Sequence, residues 1–184
     1  MTSQDSKAAT NFRDKVVAKL NGSQKCWVTG SLSTKVAHIL PASCKTTILE
    51  RLHLPVGFKN NFNGKPWNFL MLDIVLKEAF DQMRISFVPK DTLHTSTFYM
   101  KINDQSCATE KLCDGKTCIG DYEGEGNELQ VPDGIVVSRR ALSYQALMSY
   151  IHWRDYMDIP VYQRNKEPVD FSSEYDGRDV FKRS

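Results

Sequence analysis

The sequence predicts one α+β domain, and three observations carry that prediction. Apolar residues recur at helical spacing in some segments and as short β-type runs in others, while turn-forming residues separate the two kinds of segment. The chain has 184 residues, 41% of them hydrophobic and 25% charged, which suffices for one ordinary core and excludes global disorder. No run approaches the roughly 18 consecutive apolar residues that span a bilayer, and the polar start MTSQDSKAATNFRDK has no apolar signal region. The expectation is a chain with no membrane span and no secretion signal.

From Ser6 to Leu20, Phe12, Val16 and Leu20 form a stripe at i, i+4 and i+8, which predicts an amphipathic helix ended by Asn21-Gly22. CWVT (26–29) and KVAHIL (35–40) read as two extended runs of a hairpin-like unit, separated by Gly30-Ser31 and closed by Pro41. Lys45 to Leu54 predicts a short helix stopped by Pro55, and KNNFNGKPW (59–67) a polar loop. Asn68 opens the apolar run FLML, after which Asp73 can cap a helix over Ile74 to Met83. Ile85 to Val88 and Thr95 to Ile102 read as strands, and Asp114 to Asn127 as a long exposed loop.

The longest predicted helix spans Ser138 to Tyr156. Ser138 is its N-cap, and Ala141, Tyr144, Leu147, Met148 and Ile151 form its apolar face. Residues 1–162 are thus read as a single domain and 163–184 as a loosely packed tail.

Charge divides unevenly along the chain. Residues 1–90 carry 13 Lys and Arg and 6 Asp and Glu, a net +7, whereas residues 91–184 carry 11 and 16, a net −5. A basic front half suits phosphate contact, although uneven surface charge is also ordinary on a soluble domain. The odd count of five cysteines fits reduced thiols in an intracellular compartment, cytoplasmic or nuclear. Cys107, Cys113 and Cys118 lack the paired Cys-x2-4-Cys clips of common zinc modules. A structural zinc there, with His94 or Cys44 as fourth ligand, therefore ranks behind free cysteines or one local disulfide. The acidic residues Asp121, Glu123 and Glu125 lack the spacing of a calcium loop and read as solvated.

Five pieces stand in order: Cys26-Trp27-Val28-Thr29-Gly30, Ala37-His38-Ile39-Leu40-Pro41, Asn68-Phe69-Leu70-Met71-Leu72, Lys77-Glu78-Ala79-Phe80-Asp81 and Ile85-Ser86-Phe87. Together they resemble the HNH endonuclease family, in the branch that reads C-x-x-T-G, A-H-I-x-P, N-G-L-x-L, H-x-x-F-D and I-S-F. The resemblance covers about residues 12–88. It implies a ββα hairpin-helix core, flanked here by an N-terminal helix, extra strands and the long C-terminal helix. It also implies hydrolysis of DNA phosphodiesters with a divalent metal, Mg, Mn, Ni or Zn.

By the resemblance His38 is the general base, a role suited to an imidazole whose ordinary pKa is about 6.5. Asn68 tethers the hairpin or orients His38. The sequence departs from the pattern where the family places a helix histidine as metal ligand, because that position is Lys77, a cation that repels a metal. Ala37 stands where many members carry a further ligand, which leaves Asp81 as an alternative.

Two functional readings follow from the resemblance. In one, hydrolysis is lost and Lys35, Lys59, Lys65 and Lys77 bind phosphates. In the other, Lys77 substitutes for the metal's charge while His38 activates water. A third reading makes the degenerate scaffold a protein-interaction module with no nucleic-acid role, using residues 104–133 or the tail. Against each functional reading stands packing: Trp27 and Trp67 as core or loop cover, and His53, His94 and His152 as surface or packing histidines.

Overall fold

Five residues from Thr34 to His38 form strand β1, which pairs antiparallel with β2, Phe69–Asp73, in a register that sets Thr34 opposite Asp73 and His38 opposite Phe69. The computed structural model describes residues 24–41, 43–44, 46–52, 65–90 and 97–158, with the isolated positions 14, 17 and 18. The predicted N-terminal helix lies outside the described residues except for Asp14, Val17 and Ala18, which are helical. His53, Lys59, His94 and the tail 163–184 lie outside them altogether.

Every residue of β2 is buried, so FLMLD is a strand covered on both faces and shows no alternation. One cover is helix α2, Ile74–Asp81, which packs on β1 and β2. Another contact comes from Trp27, whose amide donates to Met71 O at 2.9 Å and whose ring lies 6.4 Å from that of Phe69.

The segment CWVT is not a strand. Trp27 to Thr29 form a turn: Gly30 N donates to Cys26 O at 2.9 Å, and Gly30 adopts φ 73°, a left-handed conformation that glycine enters without a Cβ penalty. The Cys26 sulfur accepts from the amides of Val28 and Thr29, and Thr29 Oγ1 accepts from Ser31 N at 3.1 Å. Local side-chain bonds thus take up the backbone donors that a strand would have offered to a ladder. The predicted hairpin within residues 26–40 is therefore replaced by pairing of β1 with β2.

The short helix α1 spans Thr46–Arg51, inside its predicted bounds. Helix α2 begins where Asp73 accepts a bond from Val75 N at 3.0 Å and ends two residues before its predicted limit, Met83. Met83 has φ 61°, its amide donates to Phe80 O, and Arg84 N donates to Ala79 O, which together close a Schellman-type end.

The chain then enters β3, Ile85–Pro89, paired antiparallel with β4, Phe98–Ile102. Two small antiparallel sheets with flanking helices give the described residues an α+β architecture. The stretch from Asp114 to Asn127 is largely exposed, as expected, but it is anchored to the fold at several points. Its 3-10 turn Ile119–Tyr122 buries Ile119, Gly124 N donates to Met100 O at 2.9 Å, and Glu123 Oε1 accepts from Ile102 N at 2.9 Å. Asp121 Oδ2 accepts from Cys118 N at 2.7 Å, so both carboxylates serve the fold.

Helix α3, Arg139–Asp158, packs on β3 and starts at Ser138, whose Oγ accepts from Ala141 N at 3.2 Å. Its most buried stripe differs from the predicted one. Ala141 and Ile151 belong to it, but so do Leu142, Gln145, Ala146 and Ser149, while Tyr144, Leu147 and Met148 are only half-buried. The polar pair enters because Gln145 Nε2 donates to Ser149 Oγ at 3.0 Å, which lowers the cost of burying both.

Arg84 joins the second sheet to the following loop, through bonds to Asp104 at 2.8 Å and Glu110 at 2.7 Å. Burial pushes the Asp104 carboxyl up, but hydrogen bonds from Ser106 and Arg84 outweigh it and hold the group below its ordinary value near 3.8. A carboxyl whose pKa is depressed by folding stabilises the fold above its unfolded pKa, and that stabilisation is lost as pH falls through the folded value. Acid titration of the denaturation midpoint should thus show a loss below about pH 3.8 that is smaller in Asp104→Asn. Equal acid sensitivity in the two proteins would refute the role given to this pair.

Candidate functional site

The side chains of β1 alternate across the sheet, so Val36 and His38 share one face and Lys35 and Ala37 the other. Val36 and His38 form one wall of a cleft of about 510 Å³. Pro41, Cys44 and Ile48 of α1 continue that wall, α2 supplies Lys77, Phe80 and Asp81, and α3 closes the cleft with Tyr144, Gln145 and Met148. Three of the sequence-predicted site residues, His38, Lys77 and Asp81, therefore meet in one place.

Lys77 and Asp81 are one helical turn apart and form an ion pair, with their side chains 27% and 42% exposed. Such an exposed i, i+4 pair contributes only about 0.3–0.5 kcal/mol, so an incoming anion can compete for the ammonium. His38 is half-buried and is already engaged in an interaction within the protein.

Asn68 is fully buried and does not line the cleft. Its Oδ1 accepts from Leu40 N at 2.8 Å, its Nδ2 donates to Leu40 O at 3.1 Å, and its backbone O accepts from Ile39 N at 3.0 Å. Asn68 thus fastens the two residues after His38 to the start of β2, Leu40 through its side chain and Ile39 through its backbone carbonyl, a positioning role. Lys35 is exposed and Lys65 half-buried, and neither lines the cleft. A phosphate track joining them to Lys77 is not assembled there.

Sequence reasoning did not place Cys44, Tyr144, Gln145 or Met148 at the site. Tyr144, Gln145 and Met148 reach it only because α3, packed on β3, also borders the cleft, a tertiary event with no local signal. Burial pushes the Cys44 thiol up, which keeps it protonated at neutral pH and unsuited to nucleophilic attack. Burial likewise pushes the Tyr144 phenol up, with nearby Cys44 adding to the shift, so the ring stays neutral.

The donor set does not fit a divalent metal. Asp81 is paired with an ammonium that repels such an ion, and among the described residues no three His, Cys, Asp or Glu side chains are grouped to hold one. That statement extends to Cys107, Cys113 and Cys118, which are buried, exposed and half-buried free thiols. Among the described residues no helix is long and apolar enough to cross a membrane. No family model, curated protein or solved structure matches the chain.

Proposed function

We propose that this is an HNH-nuclease-like protein that binds nucleic acid, DNA in the first instance, through a site whose metal-dependent hydrolysis has degenerated. The observation that carries the reading is the meeting of His38, at the end of β1, with Lys77 and Asp81, on the helix that follows β2 directly, in one cleft. In that arrangement Lys77 takes the place of a metal ligand and offers the phosphate a fixed positive charge, released from Asp81 when the anion arrives. His38 faces the same space and can accept a proton or donate a hydrogen bond to a phosphate oxygen. A single ammonium stabilises a pentavalent phosphate less than a divalent ion does, so hydrolysis by Lys77 and His38 alone would be slow. The five free thiols suit a reducing compartment, cytoplasmic or nuclear.

Binding of the purified chain to plasmid DNA is expected to weaken steeply with salt. Lys77→Gln should lower the slope of log K against log salt by about 0.9, the share of one phosphate contact. Absence of salt-dependent binding would overturn the nucleic-acid reading and leave the interaction-module reading. A nicking assay with Mg, Mn, Ni or Zn, beside chelator and His38→Ala, tests the degeneration. Metal-dependent nicking that disappears in His38→Ala would show a working nuclease instead.

Lys77→His replaces the repelling cation by a donor one helical turn from Asp81 and should introduce divalent-metal binding in calorimetry. Equal metal affinity in the two proteins would remove Lys77 as the obstacle.

A further inference from the structure

The third wall of the cleft is not needed for phosphate contact, yet it has a definite chemistry. From α3 it presents the half-buried ring of Tyr144, the thioether of Met148 and the amide of Gln145. Gln145 is 8% exposed; its nitrogen donates to Ser149, but its carbonyl oxygen Oε1 is buried with no hydrogen-bond partner. An unpaired buried acceptor costs free energy; the oxygen is screened from solvent, so a ligand N–H reaches it only when the Gln145 side chain turns toward the cleft, a turn that the new bond would favour. Opposite stand Lys77, an anion-binding group, and Phe80, an apolar surface. A flat group bearing N–H donors, joined to an anion, matches the three chemistries of the cleft.

We propose that the cleft takes one unpaired nucleotide, with its base against Tyr144 and Met148, a base N–H directed to Gln145 Oε1, and its phosphate at Lys77. The proposal rests on the nucleic-acid reading above and narrows its substrate class to single-stranded or unstacked strands. Inside a duplex both faces of a base are covered by its neighbours, so no base can lie on the Tyr144 ring unless it leaves the stack. Stacking is tolerant of sequence because every base has a π face. The expected binding is therefore selective for strand state more than for sequence.

The test is fluorescence anisotropy with a short labelled mixed-sequence DNA strand, the same strand carrying abasic sites, and its duplex. The single strand should bind on the order of tenfold more tightly than the duplex, and abasic sites should remove most of that advantage. Tyr144→Leu should weaken single-strand binding on the order of tenfold, whereas Tyr144→Phe, which keeps the ring, should not. Gln145→Leu should weaken it severalfold, with some loss of thermal stability because the buried Ser149 hydroxyl loses its bond from Gln145. Tyr144→Phe and Gln145→Leu keep the test decisive if Tyr144→Leu fails to fold. Duplex bound as tightly as single strand, with Tyr144→Leu unchanged, would overturn this proposal and leave the phosphate-binding reading standing. No binding of any strand at low salt would overturn both.

Discussion

Asn68→Ala is expected to lower the unfolding free energy by about 3 kcal/mol, because it strands both the amide and the carbonyl of Leu40. Leu40 is 1% exposed and Asn68 fully buried, so water cannot replace either bond without opening the core. Each stranded group costs about 1–3 kcal/mol, against a total stability of about 5–15 kcal/mol for a domain. Urea denaturation followed by tryptophan fluorescence would measure the loss. Asn68→Asp separates the two bonds: a carboxylate can accept from Leu40 N but meets Leu40 O with no proton to give. It should be at least as destabilised as Asn68→Ala at pH 7. Because the native state would favour the protonated acid, its pKa is raised there, and the penalty of Asn68→Asp should shrink as pH falls through that raised value toward the ordinary carboxyl range, below which it changes no further. A loss under about 1 kcal/mol in Asn68→Ala would show that Leu40 finds other partners.

How much of this was legible in the sequence depends on whether the cause was local. Asp73 and Ser138 were readable as helix caps because a cap is a short-range bond, to Val75 N in one case and Ala141 N in the other. The extended run that holds His38 and the helix that holds Lys77 were also readable, but the strand that pairs with β1 was not: Phe69–Asp73 read only as an apolar run, and the hairpin was expected within residues 26–40. The turn at Trp27 was not readable either. CWVT has strand composition, and what overrides it is a sulfur accepting two amides and a glycine at positive φ, neither of which alters a hydrophobic pattern. On α3 the apolar stripe pointed to Tyr144, Leu147 and Met148, but the helix turns Gln145 and Ser149 inward, where one bond between them offsets part of the cost of burial and Gln145 Oε1 stays unpaired. That rotation leaves Tyr144 and Met148 at the cleft. The wall opposite His38 and Lys77 thus arises from a buried polar pair, which sequence periodicity scores as surface.

The same turn supplies the other large effect. Trp27→Ala should cost about 3–5 kcal/mol, the range for emptying a buried indole site, because Trp27 is 2% exposed and packs on Phe69. Its backbone is fixed independently of the ring, by bonds to Met71 O at 2.9 Å and from Gln130 N at 2.6 Å, so the turn cannot easily close over the vacated space. Collapse would therefore be incomplete and the residual cavity large, which favours the upper part of the range. Phe69 is paired with His38 across the sheet, so the proposed nucleic-acid binding should weaken along with stability. Trp27→Phe discriminates between packing and polarity. The indole Nε1 is buried with no partner, so phenylalanine removes an unsatisfied donor while leaving a smaller void, and the two changes oppose each other. The expected net cost is below about 1.5 kcal/mol, well under that of Trp27→Ala. Equal losses in the two variants would mean that the indole N–H is held by a bond that phenylalanine cannot replace, and packing on Phe69 would no longer account for the position.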